Sequence, residues 1–227
     1  MKLEKITRWL DSTLDVAAFD DVSNNGLQIA REDGDVKLVA FAVDASAASV
    51  AAAAEAGAQL LVVHHGISWG GGIRRIVGGE YEVVSRAIKA NLAIYAAHLP
   101  LDANKAVGNN WELARHLGLT RITPAFSYHG NVIGVTGYNE HGKKIGVCSG
   151  GAGEFAQDAK ALGCDVYVTG EANWGERIAA ENVGMKMVCA GHYETETFGV
   201  KALAKAMEKA LKVKVAFMER PEEEVAE

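Results

Sequence analysis

Cysteine is scarce in this 227-residue chain and has no pattern: Cys148, Cys164 and Cys189 form neither a C-x-x-C pair nor an even set. That excludes a disulfide framework or a cysteine-built zinc module, and leaves three small apolar side chains suited to the interior of a protein from a reducing compartment. Positive charge is also short. The 23 Lys and Arg are outnumbered by 29 Asp and Glu, for a formal charge of -6, so neither nucleic acid nor an anionic membrane is expected as the main partner. The first residues, Met1-Lys2-Leu3-Glu4-Lys5, lack the apolar centre of a signal peptide. The longest apolar region, Leu38 to Val63, is interrupted by Asp44 and Glu55 and reads as strand, helix and strand rather than a membrane span. Nucleotide-loop signatures are missing too. The segment Ile67 to Arg75 holds Gly70-Gly71-Gly72 and two arginines but matches neither a P-loop nor a dinucleotide fingerprint, and is expected to be a mobile lid. A soluble cytoplasmic protein is predicted.

What remains is ordinary globular material: 49% hydrophobic and 23% charged residues, enough to bury a sizeable core in one large domain or two modest ones. Leu3, Ile6, Leu10 and Leu14 recur at helical spacing. Asn24-Asn25-Gly26-Leu27-Gln28 is a turn leading into a strand and reads as structural. Strand Lys37–Val43, alanine-rich helix Ser46–Glu55 and strand Gln59–Val63 form a βαβ unit with parallel strands. A helix over 80–90 and a strand Leu92–Ala97 follow, then a short helix from Trp111 and a connection over 118–130 containing Pro124. That connection is expected to divide two lobes, 1–120 and 121–227. Strands Asn131–Tyr138, Lys144–Cys148, Cys164–Val168, Met185–Ala190 and Val213–Met218, with helices between the later ones, complete an α/β chain, and an acidic tail, Glu219–Glu227, is expected to fray.

The chain is organised around Leu60-Leu61-Val62-Val63-His64-His65-Gly66. Successive side chains of a strand point to opposite faces, so two adjacent histidines share one task only where the strand ends and turns. Imidazole is the commonest ligand for borderline divalent metals, and open α/β sheets place ligands at the carboxyl ends of their strands. The bland alternative is a pair of histidines that cap a buried strand. His116, His129 and His141 have no carboxylate companions and receive no role.

The two halves share an order of parts. Gly57 precedes His64 by seven residues and Gly163 precedes Gly170 by seven; His98 and Asp102 are four apart after an apolar strand, as are His192 and Glu196. On a helix, residues four apart share a face and can address one ion. Asp102 or Glu196 alone could equally be a helix-start carboxylate. Taken together, three or four imidazoles with two carboxylates exceed one closed tetrahedral zinc and suit a two-metal site between the lobes.

The ordered motifs Asn25-x-Gly-Leu-Gln28, His64-His65-Gly66-x-x-Trp69-Gly70, His98-x-x-x-Asp102, Thr169-Gly170-Glu171 and Gly191-His192-Tyr193-x-Thr195-Glu196 resemble the Nif-three-like dinuclear metal-centre family, also named GTP cyclohydrolase I type 2 homologues. The resemblance spans about residues 5 to 217. It implies two similar α/β lobes with a dinuclear metal site in the cleft between them, assembled as a toroidal homo-hexamer. Carried over residue by residue, it implies His64, His65, Asp102, His192 and Glu196 as ligands of two divalent ions (zinc, iron, manganese, cobalt or nickel), with His98 beside them as the candidate proton carrier. It also implies a metal-dependent hydrolase acting on a small molecule of nucleotide type. Arg74, Arg75 and Lys105 are the cations near enough in sequence to meet a phosphate. The alternative is a metal-holding, trafficking or scaffold ring without turnover. Where many members carry a tyrosine-histidine pair, this chain has Asn173-Trp174-Gly175.

Overall fold

The computed structural model describes residues 1–220; the acidic tail beyond lies outside the described residues. In chain order the elements are α1 (Leu3–Leu14), β1 (Gly26–Ile29), β2 (Leu38–Asp44), α2 (Ala47–Glu55), β3 (Leu60–His65), α3 (Gly79–Lys89), β4 (Ala93–Ala96), α4 (Leu99–Ala103) and α5 (Asn109–His116). They continue as β5 (Thr120–Tyr128), β6 (Asn131–Tyr138), β7 (Lys144–Cys148), α6 (Ala156–Ala161), β8 (Val166–Thr169), α7 (Trp174–Asn182), β9 (Lys186–Cys189), α8 (His192–Leu211) and β10 (Lys214–Phe217). The mixed α/β class is as expected.

The chain forms two units, the first of residues 1–16, 22–98 and the segment from Ala204 onward, the second of residues 17–21 and 99–203. The first holds a five-stranded sheet in the order β1-β4-β3-β2-β10, with β4, β3, β2 and β10 mutually parallel and β1 antiparallel on β4. β3 and β4 are buried almost throughout, as central strands covered on both faces must be. Alanines 40, 42, 53, 87 and 96 pack with Leu61, Val63 and Ile94 in the core, and the small side chains let helices lie close on the sheet. α2 starts at a capping box in which Ser46 and Ser49 satisfy each other's backbone N–H groups.

The second unit holds the sheet β5-β6-β7-β8-β9, antiparallel from β5 to β7 and parallel from β7 to β9. Its core includes Phe126, Tyr167, Phe155 and Met185, and Phe19 packs against it. The run β7-α6-β8-α7-β9 repeats the order of β2-α2-β3-α3-β4.

Two expectations are corrected. The stretch 118–130 is not a connection, because strand β5 fills most of it and pairs with β6. An edge strand tolerates Pro124, whose missing N–H would disrupt a central one. The division between units falls after His98 and again after Leu203, not at residue 120, because β10 pairs with β2 of the first sheet. Pro100 sits in the first turn of α4, where no intrahelical N–H is needed.

Candidate metal centre

In the first unit β3 extends through both histidines, yet their ring centroids are only 4.6 Å apart at the strand's carboxyl end. His64 is fully buried, and its Nδ1 lies 3.0 Å from the carbonyl of Ala97. His65 Nδ1 lies 2.8 Å from Oδ1 of Asp44, its register partner at the end of β2. A carbonyl or carboxylate oxygen only accepts, so in each neutral ring Nδ1 carries the proton and Nε2 the lone pair. This is how metal-binding imidazoles are usually oriented.

His98, just past β4, joins them with centroids 5.1 Å from His64 and 5.7 Å from His65. One candidate ligand atom from each of the three lies within 4.8 Å of the others. The Asn25 side chain accepts the His98 backbone N–H at 2.8 Å, while Gln28 Oε1 accepts from Ile67 N at 2.7 Å, and its Nε2 donates to the Asn24 carbonyl. The Asn25–Gln28 motif is therefore more than a turn; it anchors the segments on which the histidines end. Gly66 is required there because a Cβ would collide with the Gln28 amide and Ala96. Trp69 presents its ring at 5.1 Å from His98, edge-on, and donates from Nε1 to the Gly66 carbonyl. Of the expected lid, Ile67 and Ser68 are tied down by Gln28, leaving 70–78 exposed but for Gly72.

In the second unit β8 runs to Thr169 and is followed by Glu171, and β9 is followed by His192. His192 places Nδ1 3.0 Å from Glu171 Oε1 and Nε2 3.1 Å from Glu196 Oε1, one helical turn along α8. The Glu196 carboxylate raises the imidazole's pKa, against the opposing effect of burial and with help from Glu171, to about 9. Without a cation the ring is charged at neutral pH. Glu196 is 3% exposed, and Gly150, at φ +68°, leaves the space that its Oε1 occupies.

Asp102, on α4, is 7% exposed and takes hydrogen bonds on Oδ1 from Asn109 Nδ2 at 2.9 Å and Ser149 Oγ at 3.3 Å. Burial, and then the nearby Asp102 charge, push the Cys148 thiol well above its ordinary value, so Cys148 is a core residue. Cys164 is likewise buried, whereas Cys189 is half-buried rather than enclosed.

The structure thus groups His64, His65 and His98 in one unit, and His192 with Glu196 in the other, where Asp102 is held in its own buried network. Lys105 stands over the Trp111 ring at 5.5 Å, while Arg74 and Arg75 are exposed. Trp174 is 76% exposed at the start of α7, and His116, His129 and His141 are at the surface. Asp44, which orients His65, carries no signal but its place at a strand's carboxyl end, whereas Glu171, which orients His192, stands in the Thr169-Gly170-Glu171 motif.

Neutral imidazole nitrogens with nearly buried carboxylate oxygens form a donor set for borderline divalent ions rather than for calcium or for soft, thiolate-seeking metals. Fold and site therefore define an α/β protein of two units with His and Glu groups that could hold a metal ion. The chain belongs to the Duf34/NIF3 (NGG1p interacting factor 3) family, whose model matches residues 1–141 and 128–223. It is 39% identical to a GTP cyclohydrolase 1 type 2 homolog of Deinococcus radiodurans, covering 96% of this chain and 93% of that protein. It is 37% identical to the protein of the same name from Archaeoglobus fulgidus, covering 97% and 99%. A solved structure from Thermus thermophilus superposes with a TM-score of 0.83 at 32% identity, over 97% of this chain and 99% of that one. Among the described residues no helix is long and apolar enough to cross a membrane.

Proposed function

We propose that the chain holds two divalent metal ions through His64, His65, Asp102, His192 and Glu196, and acts as a metal-dependent hydrolase on a nucleotide-like small molecule. The observation that carries this reading is the fixed orientation of three imidazoles, each with Nδ1 against an oxygen of Ala97, Asp44 or Glu171. An imidazole whose Nδ1 is held by an oxygen presents Nε2 as a ligand atom, and three rings held in this way support a metal role. When bound, the ions supply Lewis acidity and lower the pKa of water. His98, within reach of the His64 and His65 nitrogens, is the group that moves a proton. The name carried by the relatives, GTP cyclohydrolase 1 type 2 homolog, supports a nucleotide as substrate class. Trp69, partly exposed and edge-on to His98, offers a flat apolar wall for such a ring. A cytoplasmic homo-hexamer is part of the same proposal.

Elemental analysis of the wild type beside His64→Ala and Glu196→Ala, with molar mass by light scattering, tests it. About two metal atoms per chain, falling in both variants, is the expected result; no metal after reconstitution with several divalent ions would remove the proposal. Two metals without turnover of any nucleotide or phosphoester would instead favour a metal-holding or scaffold ring.

A further inference from the structure

Behind Asp102 lies a polar chain that the ligand assignment does not use. Asn109, the first residue of α5, is completely buried. Its Nδ2 donates to Asp102 Oδ1 at 2.9 Å, and its Oδ1 accepts the backbone N–H of Gly199 at 2.7 Å. Gly199 lies on α8, three residues beyond Glu196 and seven beyond His192. A Cβ at Gly199 would come 2.5 Å from Asn109 Oδ1 and 2.6 Å from Asn109 N, so α5 meets α8 where only glycine allows it. The amide cannot be turned over: the carboxylate needs a donor and the helix N–H needs an acceptor.

A second strand of the same network reaches Asp102 from β7. Asn110, also completely buried, accepts the Ser149 N–H at 2.6 Å and donates to the Ile133 carbonyl at 2.9 Å. Ser149 in turn donates its hydroxyl to the same Asp102 Oδ1. Both side-chain donors converge on one carboxylate oxygen and thereby fix the plane of the group.

We propose that Asn109 is a positioning residue of the metal centre, tying the Asp102 carboxylate to the helix that carries His192 and Glu196. It sets the separation of these donors before any ion arrives, so the ion meets a preorganised set. A leucine of similar size would leave Asp102 and Gly199 N–H without these bonds, and an aspartate would set a like charge against Asp102. The inference rests on Asp102 serving as a ligand, as proposed above.

Zinc affinity measured by competition with a chromophoric chelator, together with melting temperature with and without zinc, tests it on the full chain. Asn109→Ala is expected to weaken zinc binding by about 10- to 100-fold, and Ser149→Ala by less in the same direction. The melting-temperature gain from zinc should shrink in both. If the variants lose melting temperature equally with and without zinc while affinity stays at the wild-type value, the residues are merely structural and the inference falls. Should Asn109→Ala fail to fold, Ser149→Ala decides alone. A wild type that takes up no zinc overturns the metal reading itself, whereas a wild type and variants that bind it alike overturn only the role given to Asn109.

Discussion

His192 and Glu196 face each other at 3.1 Å across one turn of α8, with the carboxylate almost wholly buried and the imidazole open to one side. If the two are metal ligands, as proposed, this charged pair is their metal-free form, with the proton on Nε2 standing where a cation would.

The pH dependence follows with a definite sign. The folded-state pKa of His192 is raised from 6.5 to about 9, so in metal-free protein the pair contributes stability fully below pH 6.5 and loses it as pH rises through about 9. NMR titration of the metal-free protein should show that raised midpoint, and Glu196→Gln should bring it down toward 6.5. Zinc uptake at pH 7 should release this proton, seen as buffer-dependent calorimetric heat, and the release should fade above pH 9.

Asp44→Ala removes the acceptor that sets the His65 tautomer. Metal affinity should fall by about 10- to 100-fold with little change in metal-free stability, since Asp44 is partly exposed. Equal affinity in equilibrium dialysis would count against His65 as a ligand.

Gly66→Ala forces a methyl into the Gln28 amide and Ala96. A cost of about 1–3 kcal/mol in urea unfolding is expected. Combining it with Gln28→Ala should cost less than the sum, because the two changes share one space.

Tyr95 donates to Asp11 at 2.6 Å and joins β4 to α1. Burial, and then the Asp11 carboxylate, raise its phenol far above the ordinary value. Ultraviolet titration should find two tyrosines, Tyr95 and Tyr167, that ionise only on unfolding, with one left in Tyr95→Phe, and Tyr95→Phe should cost about 1–2 kcal/mol.

Thiol labelling should separate the cysteines. Half-buried Cys189 should react with an aromatic disulfide in the native protein, while Cys148, buried and with its thiol held protonated, should react only after denaturation.

Local pattern alone determined much of this protein. Helical spacing set α1 and apolar runs set β2, β3 and β4, while the turn at Gly66 leaves His64 and His65 as the last two residues of β3. The sequence likewise singled out His64, His65, His98, Asp102, His192 and Glu196 by their spacing. Tertiary structure decided which strand joins which sheet: β10 is last in the chain yet pairs with β2, a non-local choice on which four residues of strand are silent. It decided that the segment around Pro124 is an edge strand, since only position in the sheet shows whether the missing N–H matters. It also decided the partners of the proposed ligands. Asp44 and Asn109 are ordinary polar residues in sequence, Asn25 and Glu171 stand in motifs that do not say what they touch, and all four become specific only when folding brings residues 21 to 90 positions apart within hydrogen-bonding distance. Orienting a ligand takes an acceptor at one particular point in space, and chain order does not encode that point.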